Sequence, residues 1–548
     1  MLARLFNASP EILRRIALFT VFNAEHPGPP RDFLNLSLVC HASHRILTHD
    51  AAPLYVDIFA QTFDILGPLF KLGASTVQAN AKVELQRRFS ALRIFRGENF
   101  DDPNLTEAFW IAYMMFEDSD TGQKNTKQLM GARLHSFLDR FLRKRLYRGS
   151  ETNNGWPIPS EQNSLAVALF WLSSSQLSLY KESAEEREEM ALLLKPFVFA
   201  AFRYPIFSTS EFCFDVATFT HQATSSSVHG PYPPSPLLPR DVAYFGTVSR
   251  TVRVPSVSLF AALSFFTRQE TRIPELPPHL QPDNRSGDPA ICQGPTLDDV
   301  KHFIVHCNTH FADFPGLDVG VAQSHTDTSP TPAHSLVDPS PYKLGTLTGS
   351  WRGSYIMPYL EDYASWLHTL TAPPEFPTTG RSPLYMTLQE HYTRNPASVL
   401  PGVDAATGTT NAWLPADSRW IQRENGIEVF DEKGTFRTRY ETVKPGASPV
   451  DAHGDVLDVI ITGKPDPQHA AAWGDYRIFG RIRLADGLVM LAREPLDGTG
   501  PILLRGYALP VTSSQNFVGR FKGVSSGTEP AGWEAAFSLC QVREDVRL

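Results

Sequence analysis

Tyr476-Arg477-Ile478-Phe479-Gly480-Arg481-Ile482-Arg483-Leu484 is followed, across Ala485-Asp486-Gly487, by Leu488-Val489-Met490-Leu491-Ala492-Arg493. In the first run Tyr476, Ile478, Ile482 and Leu484 share one parity, and Arg477, Arg481 and Arg483 share the other. A period of two with one polar face marks a half-buried antiparallel strand. An Asp-Gly between two such runs marks a hairpin. The same reading extends upstream. Thr435–Val443 sets Phe436, Thr438, Tyr440 and Thr442 against Arg437, Arg439 and Glu441, and Asp431-Glu432-Lys433-Gly434 joins it to Ile427–Phe430. Further strands are expected at Ser354–Met357, Leu384–His391, Val456–Thr462, Ile502–Tyr507, Phe517–Phe521 and Trp533–Leu539. Many short strands at hairpin spacing predict a closed barrel or a sandwich over residues 344–548. The barrel is preferred, because closure leaves no strand edge unpaired.

Before residue 344 the period changes. Residues 61–207 carry helical apolar stripes, as in Leu105–Phe116, Met130–Tyr147 and Ser164–Tyr180, and read as a helical connector. Residues 208–343 hold Gly230–Pro236, Leu276-Pro277-Pro278 and the polar tract Gln323–Ser340. They read as an irregular, proline-rich connector with two helices, Val254–Thr267 and Leu297–His310. At 548 residues the chain is long enough for three or four folding units.

Residues 1–60 open with Ala8-Ser9-Pro10-Glu11-Ile12-Leu13-Arg14-Arg15-Ile16. After a Gly-Pro-Pro break they continue Phe33-Leu34-Asn35-Leu36-Ser37-Leu38-Val39-Cys40-His41-Ala42-Ser43. Ser9 suits a helix N-cap and Pro10 its first turn. Three helices this short cannot bury a core alone, so their apolar stripes need either the next segment or a partner. These residues resemble the F-box family, whose pattern is Leu-Pro-x-Glu-Ile-Leu, then a leucine-rich helix ending in Val-Cys. The wide loop resembles the fungal versions. Two positions depart from the pattern. Ala8-Ser9 stands for Leu-Pro, and Ser43 stands for the aromatic after Val-Cys. The alternative is an ordinary helical start packed on the second segment.

The Gly349-Ser350-Trp351 opening and the Phe517-Val518-Gly519-Arg520-Phe521 strand resemble a lipocalin-type up-and-down barrel. The whole layout is similar to the F-box only protein thirty-one family. The resemblance implies an α+β multidomain protein: an F-box-like three-helix module, a helical connector and a C-terminal antiparallel β-barrel. It also implies the substrate receptor of a cullin-based ubiquitin ligase. Pro10, Glu11, Ile12, Leu13, Ile16, Leu36, Val39 and Cys40 would then dock a Skp-type adaptor that links to the cullin scaffold, and the barrel would hold a peptide of an unidentified protein substrate.

The arginines suggest how. Arg477, Arg481 and Arg483 lie on one face of one strand, with Arg493 and Arg505 on neighbouring strands. Guanidinium forks match carboxylates and phosphates, so a cluster at a barrel mouth would suit an acidic or phosphorylated segment, walled by Trp351 and Trp473. The plainer reading is a solvated face paired with Asp458, Asp475 or Asp486.

Chemistry of its own is not indicated. There is no phosphate loop and no Gly-x-Gly-x-x-Gly after a strand. Ser350 stands one position early for a nucleophile elbow. His302, His306 and His310 recur every four residues beside Cys307, but three histidines over two turns converge poorly on one ion. No catalytic residue, metal or cofactor is assigned, and the expectation is a non-enzyme. The alternative function is a small-molecule carrier or enzyme built on the barrel, with a purely structural N-terminus.

The net charge of −8 excludes a general nucleic-acid footprint. The five cysteines, Cys40, Cys213, Cys292, Cys307 and Cys540, form no framework, which suggests a reducing compartment. Glu11, Arg14 and Arg15 break up the apolar start, so no secretory signal is expected. No membrane association is expected either, and cytoplasm or nucleus follows.

Overall fold

The computed structural model describes residues 9–22, 28–49, 51–120, 123–206, 240–270, 272, 274, 276, 280, 294–306, 342–369, 371–401, 414–415, 417–444, 450–451, 456–484, 487–498, 500–511, 514–523 and 533–542. Gly230–Pro236, Gln323–Ser340, Cys307 and His310 lie outside the described residues.

The apolar periodicity of the first half folds as helices. They are α1 (Pro10–Phe22), α2 (Arg31–Leu38), α3 (His41–Thr48), α4 (Ala52–Thr62), α5 (Leu66–Leu72), α6 (Ala74–Gly97), α7 (Leu105–Glu117), α8 (Lys124–Gly131), α9 (Leu134–Arg145), α10 (Glu161–Leu172), α11 (Gln176–Lys181) and α12 (Ala184–Phe199). Serine caps start the last three: Ser160, Ser175 and Ser183 each accept a first-turn amide. Helices α7 and α10 are apolar almost all round and are buried for nearly their whole length.

The segment read as an irregular connector contributes to this helical unit. It forms the hairpin β1 (Arg240–Phe245) and β2 (Val248–Val252), then α13 (Val257–Gln269), every residue of which is buried. Helix α13 packs against α10 and α12 on one side and against the barrel on the other. The hairpin is tied in by charge: Arg250 pairs with the buried Glu117, and the Tyr244 hydroxyl donates to Asp118 at 2.7 Å. Lys71 reaches both carboxylates, at 2.8 and 2.9 Å. Alternation over only five or six residues, inside a proline-rich stretch, left this hairpin invisible in the sequence.

Then follow α14 (Leu297–His306), β3 (Lys343–Leu344), β4 (Gly349–Ile356), α15 (Leu360–His368), β5 (Ser382–Thr393), β6 (Ser418–Arg423), β7 (Gly426–Asp431), β8 (Arg437–Thr442), β9 (Val450–Asp451), β10 (Asp458–Lys464), α16 (Pro467–Trp473), β11 (Tyr476–Arg483), β12 (Leu488–Pro495), β13 (Ile502–Val511), β14 (Ser514–Gly523) and β15 (Glu534–Val542). Eight strands close a ring in the order β4-β5-β10-β11-β12-β13-β14-β15 and back to β4, every pair antiparallel. The barrel is therefore up-and-down. The meander β6-β7-β8 is a side branch, attached to β5 at His391 and Tyr392.

Inward residues of one parity make the barrel core: Trp351, Leu388, Ile461, Ile478, Leu491, Phe517 and Phe537 among them. Closure needs sharp coiling, and glycine permits it. Gly506 and Gly519 face each other on β13 and β14. A Cβ on Gly519 would lie 2.0 Å from the Arg505 carbonyl oxygen.

One end of the barrel is shut by residues 342–348. Glu390, wholly buried on β5, holds that strap with five donors: the Tyr342 hydroxyl (2.7 Å), the amides of Gly345 (2.8 Å), Leu347 (3.1 Å) and Thr348 (2.7 Å), and the Thr348 hydroxyl (2.7 Å). Burial pushes its carboxyl up, and these donors pull the other way. The Trp351 indole N–H donates to the Leu347 carbonyl at 2.8 Å, so the Gly-x-Trp opening belongs to the same closure.

Two histidines give the barrel a pH dependence. His391 lies between the hydroxyls of Thr442 and Thr462, at 2.8 Å each. His469 is buried on α16. Burial pulls both imidazoles down from 6.5 to about 4. The unfolded chain then binds these protons first. Their contribution is complete above pH 6.5 and is lost as pH falls from 6.5 toward 4, at about 1.4 kcal/mol per pH unit for each histidine. Urea midpoints between pH 7 and 4 check this, and His391→Gln is expected to flatten the decline. An unchanged slope would sink the assignment.

Candidate functional site

One exposed apolar face and one end of the barrel are the candidates. The first is on α1 and α2. Leu13, Ala17 and Val21 of α1, Phe33 of α2 and Leu47 of α3 turn inward and join the core with Ala51, Leu54 and Ile58. Phe33 meets Tyr55 edge to face at 6.2 Å. Arg14 ties α1 to the end of α3 through the carbonyls of Ile46 (3.3 Å) and His49 (3.2 Å). The opposite side carries exposed apolar side chains. Ile12 (52% exposed), half-buried Ile16 and Phe19 (58%) run along α1 at i, i+4, i+7, while Leu34, Leu38 (75%) and Val39 are exposed on and just after α2.

Among the expected docking residues, Pro10, Glu11, Ile12 and Val39 are exposed. Ile16, Leu36 and Cys40 are half-buried. Leu13 is corrected to a core position at 1% exposure, because the helical stripe that includes it is the one facing α4. Phe19, Leu34 and Leu38 were missed. The 3.6-residue period from Ile12 reaches Phe19, so that signal was present. Cys40 caps α3: its sulfur accepts from the Ser43 amide at 3.4 Å and its own amide donates to the Ser43 hydroxyl at 3.2 Å. Ser43 thus serves as the third residue of a capping box and is buried.

The second region is the barrel end away from the Glu390 strap, where Tyr476 and Phe521 are buried and Tyr355, Arg493 and Trp533 are half-buried. Strand ends there bring together the inward-facing Tyr355, Phe521, Tyr476 and Arg493, with Trp533 packed beside them. Tyr355 and Phe521 meet edge to face at 4.9 Å, and Phe521 and Trp533 at 5.4 Å. The Arg493 guanidinium sits over the Tyr476 ring at 4.1 Å. Burial pushes the Tyr476 phenol up, with Arg493 opposing. Trp473, half-buried, ends α16, the helix that crosses this end between β10 and β11.

The structure divides the five arginines. Arg493 is half-buried at this end, and Arg477 is exposed on the barrel's outer face. Arg481, Arg483 and Arg505 are corrected: they are buried on the outer face, away from the mouth. Arg481 binds Asp458 at 2.8 Å, and that carboxylate also accepts the Tyr440 hydroxyl at 2.7 Å beneath the β6-β7-β8 meander. Arg505 pairs with the buried Glu534. Of the plainer reading, the pairing with Asp458 holds at Arg481, but the solvated face does not, because other elements of the chain cover this side of the barrel. Trp351 is not a pocket wall; it is a core residue with its indole N–H bonded, which is the commoner role for a tryptophan.

His302 and His306 stack at 4.0 Å, and among the described residues no group of three His, Cys, Asp or Glu side chains is placed to hold a metal ion. No described helix is long and apolar enough to cross a membrane. Protein-family models, curated proteins and solved structures give no match to this chain.

Proposed function

We propose that the chain is the substrate receptor of a cullin-based ubiquitin ligase, an F-box protein that docks a Skp-type adaptor through α1 and α2. The exposed stripe of Ile12, Phe19, Leu34, Leu38 and Val39 carries this reading. Large apolar side chains gathered on the exposed side of helices whose other side is packed into the core mark a protein-binding face. The barrel would present a target peptide at its open end, where Arg493 supplies a cation beside aromatic walls. That arrangement suits an acidic group flanked by an apolar residue. The rings of Trp351, Phe517 and Phe537 occupy the barrel centre, at 6.1 and 5.0 Å from one another in sequence. Such filling favours binding at the rim over enclosure of a small molecule.

The test is a titration of the full chain with a Skp-type adaptor beside the double variant Ile12→Asp, Leu38→Asp. Both side chains are exposed, so the fold is expected to survive. Wild type is expected to bind, and the variant to bind about 100-fold more weakly, as for loss of central interface anchors. Failure of wild type to bind, or equal binding by the variant, would refute the adaptor reading.

A further inference from the structure

Helix α14 is held to the outside of the barrel by few side chains. At ten residues it is below the length at which an isolated helix persists in water, so its order depends on its seat. Phe303 and Val300 are buried, whereas Leu297, Val305 and His306 are exposed. Phe303 and Tyr385 of β5 form a small core of their own, apart from both large ones. The Arg381 guanidinium lies 4.9 Å from the Phe303 ring, and that of Arg352 on β4 lies 5.7 Å from the Tyr385 ring. From α16, Gln468 donates to Asp299 at 3.2 Å, and His469 packs on Tyr385 at 4.9 Å.

Two imidazoles ride on this helix. His302 is half-buried and meets the Tyr385 ring at 6.1 Å. His306, one turn on, stacks on His302 at 4.0 Å, with its Nδ1 2.9 Å from the His302 carbonyl oxygen. That stack suits neutral rings, because protonation sets two like charges side by side and next to Arg352. Burial, His306 and Arg352 together push the His302 imidazole below 6.5, against the pull of Asp466 and Asp299. Both carboxylates are engaged elsewhere. Asp466 accepts the His469 amide at 2.7 Å, and Asp299 accepts the Thr296 hydroxyl at 2.7 Å. Asp298 pairs with Lys301 on the solvent side, at 3.1 Å. Beneath the helix, burial keeps His469 neutral down to about pH 4. We propose that His302 and His306 make α14 a proton-released element, docked on the barrel at neutral pH and freed from it in mild acid. The undocked helix takes up the proton first, so docking is complete above pH 6.5 and weakens as pH falls below it. Release bares Phe303 and the Tyr385 ring. The proposal stands independently of the ubiquitin-ligase reading.

Hydrogen exchange of the full chain at pH 7.5 and 5.5, each corrected for the intrinsic rate, tests it on the Val300–His306 amides. The Ile461 and Leu491 amides of the barrel core serve as internal standard. Protection of α14 should fall at least about fivefold between the two pH values, and that of the standard by less. His306→Gln, whose side chain lies outside the seat, should reduce that drop by at least about half, for loss of one of the two linked protons. His302→Gln should reduce it further. Phe303→Ala should speed α14 exchange at both pH values, which establishes that these amides report docking. Unchanged α14 protection at pH 5.5, a drop no larger than that of the barrel standard, or a full drop in His306→Gln overturns the proposal. Unchanged protection in Phe303→Ala also overturns it, since α14 would then not depend on its seat.

Discussion

Glu390→Ala is expected to unfasten the closed end of the barrel, at a cost on the order of 3–5 kcal/mol. The reason is asymmetry: making a hydrogen bond returns little net free energy, but stranding a buried donor costs its whole desolvation. Here one deletion strands the Tyr342 hydroxyl, the amides of Gly345, Leu347 and Thr348, and the Thr348 hydroxyl together. Glu390→Gln should be milder. Its amide oxygen still accepts at one position, while its NH2 group faces donors at the other. The check is urea unfolding together with hydrogen exchange at Gly345, Leu347 and Thr348. Those amides should lose protection in the Ala variant before the rest of the barrel does. If they keep wild-type protection, the carboxylate is not what holds the strap.

Arg520→Met is expected to loosen the barrel from the helical unit, at a cost of about 3 kcal/mol. Arg520 projects from β14 on the outer face, 2% exposed, and donates to the carbonyl oxygens of Val198, Phe197 (2.7 Å) and Tyr204 (3.1 Å). The first two of these end α12, where carbonyls have no intrahelical partner, and the helix dipole also favours a cation there. Methionine fills similar volume and supplies no donor, so it leaves polar oxygens buried in the seam. Calorimetry of the full chain is the check. Wild type should unfold in one transition, and the variant should show the barrel and the helical unit separating. A single transition at the wild-type temperature would count against this coupling.

How much of this was legible beforehand depends on which residues are asked about. The strands of residues 476–493 could be read directly, because alternation of Tyr476, Ile478 and Ile482 with arginine survives any arrangement that buries one face. Strand number and turn spacing left a barrel or a sandwich; the closed ring agrees with the barrel preferred for leaving no edge unpaired. The open face of α1 was visible in part, through the i, i+4, i+7 placement of Ile12, Ile16 and Phe19. The meander strand β6 escaped notice, as did the β1-β2 hairpin. Both are short, and neither carries a strong periodic signal.

The arginines show where sequence reasoning stops. Parity set Arg481 and Arg483 opposite Ile478 and Ile482, and the structure agrees with that parity, though not with their place at a barrel mouth. Whether an outer face meets water or another part of the chain is not a local property. The meander that covers Asp458 and Arg481 is attached through His391–Thr442. The helix end that receives Arg520 lies more than 300 residues away in sequence. Local periodicity therefore determined the helices, the strands and which side chains share a face. Tertiary packing alone decided which of those faces were buried and which arginines were paired. It also left Ile12, Phe19, Leu34, Leu38 and Val39 exposed on and just after α1 and α2. The physical reason is that backbone geometry fixes a side chain's direction within a few residues, whereas burial and charge pairing depend on whatever distant segment packs against it.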